Sequence, residues 1–120
     1  MNVGLASAML GALAVVVGAF GTHALRSQLE PAKMELFETA ARYQLVHALA
    51  AAFAADRAQR VRATPAAGWF LAGIVLFSGS LYGLALGAPR VLGAVTPFGG
   101  TAFIAGWVLL ALSFRRRPQA

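Results

Sequence analysis

The chain contains no cysteine. That excludes disulfides, thiolate metal sites and thiol nucleophiles, and it leaves the redox compartment open. Charge is scarce too: 12% of the 120 residues are Asp, Glu, Lys or Arg, and only four of them are acidic. A soluble domain of this size needs far more polar surface to cover itself. Carboxylates for acid–base chemistry are nearly absent, and Glu38 is the only acid expected near the outer face of the bundle. A Ser–His–acid arrangement requires an acid in reach of a histidine and an exposed serine, so no catalytic residue is assigned. Thr96-Pro97-Phe98-Gly99-Gly100 has neither the lysine nor the preceding strand of a phosphate loop.

Apolar residues fill the space that charge leaves. They make up 59% of the chain, which has a mean hydropathy of +0.71. They fall into four long stretches, at about residues 3–22, 39–55, 66–86 and 97–114, with most of the charge in the gaps. A bilayer core of about 30 Å takes roughly 20 apolar residues per crossing. The expected fold is therefore all-α: one integral-membrane domain over residues 1–120, a transmembrane bundle of four antiparallel helices. The first stretch is longer than a typical signal-peptide core and has no Lys or Arg before it, so it is expected to be a retained span.

Local punctuation marks the helix starts. Glu30-Pro31 begins an amphipathic extension continuous with span two, and Thr64-Pro65 and Thr96-Pro97 read as cap-then-proline starts. Glu38 precedes Arg42 by four residues, the favourable order for a same-face ion pair. Trp69 sits where an interfacial anchor belongs.

Small residues are periodic. Gly4, Ser7, Gly11, Ala14, Gly18 and Gly21 form one helical stripe on span one, and Gly79, Gly83 and Gly87 recur every four residues on span three. Helices in lipid associate by close backbone approach, which such faces permit. Gly4, Gly11, Gly18, Gly21, Gly79 and Gly83 are therefore assigned to helix packing. The bundle is expected to pack through these two faces; a dimer seam is the sharper alternative for the first.

The net charge of +6 does not indicate nucleic acid, because the arginines sit at the ends of apolar segments. Arg57, Arg60, Arg62 and Arg115 to Arg117 would share one side with only Asp56 against them. Arg26, Lys33, Arg42 and Arg90 would face three glutamates on the other. Basic loops stay in the cytoplasm, which predicts both termini inside.

That orientation gathers His23, Arg42, Tyr43, His47 and Tyr82 in the outward half of the bundle, with Gln44, Ser78, Ser80, Thr96 and Thr101 around them. His47 should lie on the order of 8–12 Å inside the outer boundary, at about 1.5 Å per residue. Intramembrane polar groups face the bundle or a wet cavity. Either they satisfy one another as structural ties, with Arg42 reaching the headgroups, or they line a solute path. A haem between His23 and His47 is a more distant idea. No carboxylate stands at a ligand spacing from either histidine, so neither a metal nor a cofactor is expected.

Several segments together resemble a known family. Gly18-Ala19-Phe20-Gly21-Thr22-His23-Ala24-Leu25 is followed by Tyr43-Gln44 and His47-Ala48-Leu49. Then come Phe77-Ser78-Gly79-Ser80-Leu81-Tyr82, Thr96-Pro97-Phe98-Gly99-Gly100 and Gly106-Trp107. In this order and spacing the chain resembles the YgdD-like family of small four-span membrane proteins, a family of unknown function, over roughly residues 4–114. Thr22 departs from the small alanine expected before the histidine. The resemblance implies an uncharacterised bacterial inner-membrane protein and carries no catalytic residue across. The expected role is a non-enzymatic scaffold or accessory module, surrounded by the lipid bilayer and meeting a second copy or a membrane-protein partner. The alternative is a small-solute or ion transport element built on the polar cluster.

Overall fold

A computed structural model describes residues 2–59 and 65–115. Arg60, Arg62, Thr64, Arg116 and Arg117, used above for topology and capping, lie outside the described residues. The described residues form four long helices: α1 (Val3–Leu25), α2 (Pro31–Arg57), α3 (Ala66–Ala85) and α4 (Thr96–Ser113). A short 3-10 turn, Arg90–Ala94, leads into α4.

The starts follow from local chemistry. Asn2 caps α1 by accepting the Leu5 N–H at 3.1 Å, filling one of the unpaired donors of the first turn. Glu30 and Pro31 open α2 as expected, and the helix runs unbroken through the apolar stretch. Thr96 does not cap α4; its hydroxyl instead meets that of Ser80 on α3. Gly87 does not belong to a packing face either. It ends α3 at φ +105°, where Ala88 N–H reaches Gly83 C=O at 2.8 Å and Gly87 N–H reaches Leu84 C=O at 3.3 Å. That is the glycine-terminated helix end, and it needs a residue without Cβ.

Three helices are long and apolar enough to cross a membrane: α1, α3, and α4 with its leading turn. At 27 residues, α2 is the longest element, but Arg42, Gln44 and His47 interrupt its apolar run. Yet α2 is where the core lies. Its inner face buries Phe37, Ala40, Gln44, His47, Ala48 and Ala51. Small alanines there let neighbouring backbones approach.

Helices adjacent in sequence pack antiparallel, and α1 rests almost entirely on α2. The small-residue stripe of α1 makes that contact. A Cβ on Gly11 would stand 3.8 Å from Ala48 Cβ, one on Gly18 3.6 Å from Ala41 Cβ, and one on Gly21 2.9 Å from the Phe37 ring. Ser7 and Ala14 are buried on the same stripe, while a Cβ on Gly4 would come within 3.3 Å of the capping Asn2. The stripe therefore meets α2, not the small face of α3.

The expected small face of α3 does not pack helix to helix. Gly79 faces open space, and Gly83 is covered by Leu92 of the following turn. The close α3–α4 contact uses other glycines. Gly73 lies under the Phe103 ring, Gly99 against the Phe77 backbone, and Gly106 under the Phe70 ring with 2.7 Å from its would-be Cβ. Two aromatic rings and one stretch of backbone thus fit over three glycines of an antiparallel pair.

Candidate functional site

Helix α2 ties the other three together through polar side chains. Gln44 lies fully among them: its amide N–H donates to Leu10 C=O on α1 at 2.8 Å, and its amide oxygen accepts from Tyr82 O–H on α3 at 2.7 Å. One turn earlier, Ser78 O–H on α3 donates to Ala40 C=O at 2.7 Å. One turn later, His47 faces α4. Its Nε2 lies 3.1 Å from Trp107 Nε1 and its Nδ1 lies 2.8 Å from Tyr43 C=O. An indole N–H can only donate, so His47 Nε2 is the acceptor and Nδ1 carries the proton. The imidazole also stacks on Phe103, with centroids 3.6 Å apart and planes 12° apart. Both ring nitrogens are thereby engaged by protein.

The ends of α2 hold its neighbours as well. Lys33 Nζ donates to Leu84 C=O at 3.1 Å, at the C-terminal end of α3. At the far end of α2, Arg57 donates through Nε to Ser113 Oγ at 2.7 Å and through Nη2 to Ser113 C=O at 2.9 Å. Each cation meets the negative end of a helix dipole, the favourable placement. Arg57 also lies over the Phe114 ring, 4.0 Å from its centroid, within cation–π range.

The predicted polar cluster divides. Tyr43 and His47 stay together, with centroids 5.7 Å apart, but Tyr82 joins Gln44 and packs its ring on Phe37. Arg42 is exposed on the flank of α2, and His23 is exposed on the last turn of α1. No ion pair joins Glu38 to Arg42 among the described residues; Glu38 lies 3.9 Å from Arg26 instead. The chain folds back after α1, so Arg26 comes beside α2 and replaces the same-helix partner. Gln44 and Trp107 are the residues whose importance spacing alone did not reveal.

Between α2 and α4 runs a groove with Phe77 of α3 as part of its floor. Its upper part, about 580 Å³, is lined by Tyr43, His47, Phe103 and Trp107. The lower part, about 510 Å³, is almost wholly apolar and continues from Trp107 to Phe53 and Phe114.

Known proteins are similar to this chain. The family described as "Protein of unknown function (DUF423)" matches residues 17–100. The chain belongs to that family. It is 42% identical over 105 residues to the UPF0382 membrane protein YwdK of Bacillus subtilis, covering 84% of this chain and 85% of the relative. To the UPF0382 inner membrane protein YgdD of Escherichia coli it is 44% identical over 108 residues, covering 87% and 82%. A UPF0382 membrane protein of Haemophilus influenzae is 41% identical over 107 residues, covering 87% and 86%. No solved structure matches. This DUF423 chain is thus an uncharacterised membrane protein, and its family supplies no activity. The YgdD-like resemblance drawn from the quoted segments holds.

Proposed function

We propose that this chain crosses the bacterial inner membrane four times with both termini in the cytoplasm, and that it serves as a non-enzymatic accessory or scaffold module. One observation carries the reading: every buried side-chain nitrogen and oxygen among the described residues already has a hydrogen-bond partner. Gln44, His47, Ser78 and Tyr82 are spent on helix-to-helix ties. A solute path needs polar groups turned toward water, whereas the groove beside them is lined mainly by apolar side chains.

The same ties support α2 as a span. Its low hydropathy comes from side chains that neighbouring helices cover, so lipid would not meet Gln44 or His47. Exposed apolar residues such as Leu5, Met9, Phe20 and Val75 face outward from α1 and α3. They suit contact with lipid, a second copy or a membrane-protein partner. The name of the Escherichia coli relative supports the inner membrane.

The absence of native cysteine allows a direct test of topology. Single-cysteine Gln28→Cys should react with an impermeant maleimide on intact spheroplasts, and Gln59→Cys only after lysis. The reverse pattern would invert the topology, and labelling of both from outside would remove the even number of spans. Purified protein in liposomes should pass protons and small cations no faster than empty vesicles. Flux that disappears in His47→Ala would sink the accessory reading in favour of transport.

A further inference from the structure

We propose that the lower half of the α2–α4 groove binds an anionic phospholipid, with its phosphate at Arg57 and one acyl chain along the groove. The inference rests on the membrane-spanning reading above and adds a ligand class to it. The groove wall on α2 is Val46, Leu49 and Phe53; on α4 it is Trp107, Leu110 and Phe114. Seven residues separate Trp107 from Phe114, about 10 Å at 1.5 Å per residue. That is roughly two thirds of one leaflet of a ~30 Å hydrocarbon core. An extended hydrocarbon chain fits such a slot in length and in chemistry.

A cation closes the headgroup end. Arg57 lies over the Phe114 ring, and Ser113 holds it through Nε and Nη2. A guanidinium has five N–H donors in a planar fork, and the two bonds to Ser113 engage only Nε and Nη2. Ser113 therefore fixes the orientation of the fork without exhausting its donors. Arg115 follows Phe114, is exposed, and adds a second positive charge at the end of α4. An apolar slot ending in an oriented cation is complementary to an anionic amphiphile. A second, parallel copy of the chain fits less well, because it would bring its own Arg57 and Arg115 to that end.

Trp107 lines the groove, so its fluorescence reports what fills it. The full chain carrying Trp69→Phe is reconstituted in vesicles of mixed phosphatidylglycerol and phosphatidylcholine, with brominated acyl chains on one lipid or the other. Trp107→Phe leaves Trp69 as the bilayer control, since Trp69 is exposed near the start of α3. Brominated phosphatidylglycerol should quench Trp107 about fivefold more effectively per mole fraction than brominated phosphatidylcholine, while Trp69 shows no such preference. Arg57→Gln should bring the Trp107 preference close to one. Fivefold corresponds to about 1 kcal/mol, the contribution of one basic residue at an anionic surface.

Equal quenching of Trp107 by the two lipids in the unaltered groove overturns the proposal whether or not Arg57→Gln folds. Quenching of Trp69 alone means that protein covers the groove, and also overturns it. Quenching of neither tryptophan by either lipid removes the membrane-spanning reading itself.

Discussion

The Trp107 indole donates to His47 across the α2–α4 groove at 3.1 Å and so decides which nitrogen of the imidazole carries its proton. A 15N spectrum of labelled protein in lipid should show Nδ1 protonated and Nε2 bare. The opposite tautomer would mean that the indole bond does not exist. Trp107→Phe should lose the bond and part of the indole's contact with Phe70, at a cost of about 1–2 kcal/mol. Interhelical bonds in membranes average ~0.6 and reach ~1.7 kcal/mol. Unfolding by SDS titration measures it.

Gln44 serves Leu10 and Tyr82 at once, so its loss strands two groups. Gln44→Leu should destabilise by about 1–2 kcal/mol, because buried donors and acceptors left unpaired cost their desolvation. Adding Tyr82→Phe should cost less than the sum of the two single changes, since the stranded hydroxyl is gone. Strict additivity in that cycle would show that the two side chains do not interact.

Glycines on α3 and α4 should respond unequally. A Cβ on Gly99 would run into the backbone of Phe77, which cannot rotate away. Gly99→Ala should therefore cost about 1–3 kcal/mol by overpacking. Gly79→Ala meets open space and should be neutral or stabilising by up to about 1 kcal/mol, because alanine is the better helix former. Melting temperatures in one detergent give the comparison. Equal effects would contradict the α3–α4 packing.

The α1 stripe gives a graded series. Gly11→Ala leaves an ordinary 3.8 Å contact to Ala48 and should change stability by less than about 0.5 kcal/mol, within the range of surface-like substitutions. Gly11→Leu should pry α1 from α2. Protease sensitivity of α1 in detergent should rise for the leucine variant only. Resistance in both would show that the stripe is not a contact.

Part of the polar network was legible in sequence. Ser78 and Ser80 were expected among the polar groups of one half of the bundle, and Ser78 bonds across to α2 while Ser80 bonds back to its own helix. His47 was expected to face the bundle or a wet cavity, and it is buried among the helices. The partner of His47 was not legible, because Trp107 lies 60 residues away and spacing carries no information about contacts across helices. Glu38 was assigned to Arg42 on the strength of a local rule. The turn after α1 overrode it by bringing Arg26 alongside.

By itself, the sequence determined that the chain is helical and suited to lipid. Apolar length and the shortage of charge are properties of each segment alone, and they need no partner to act. The small residues of α1 were likewise visible as a packing stripe. Only the tertiary structure decided which helix that stripe meets, which glycines of α3 are used, and that Gln44, not Arg42, is central. Those outcomes depend on register between helices. A register is chosen by the fit of rings over glycines and by the pairing of polar groups on different helices, neither of which exists until the helices touch.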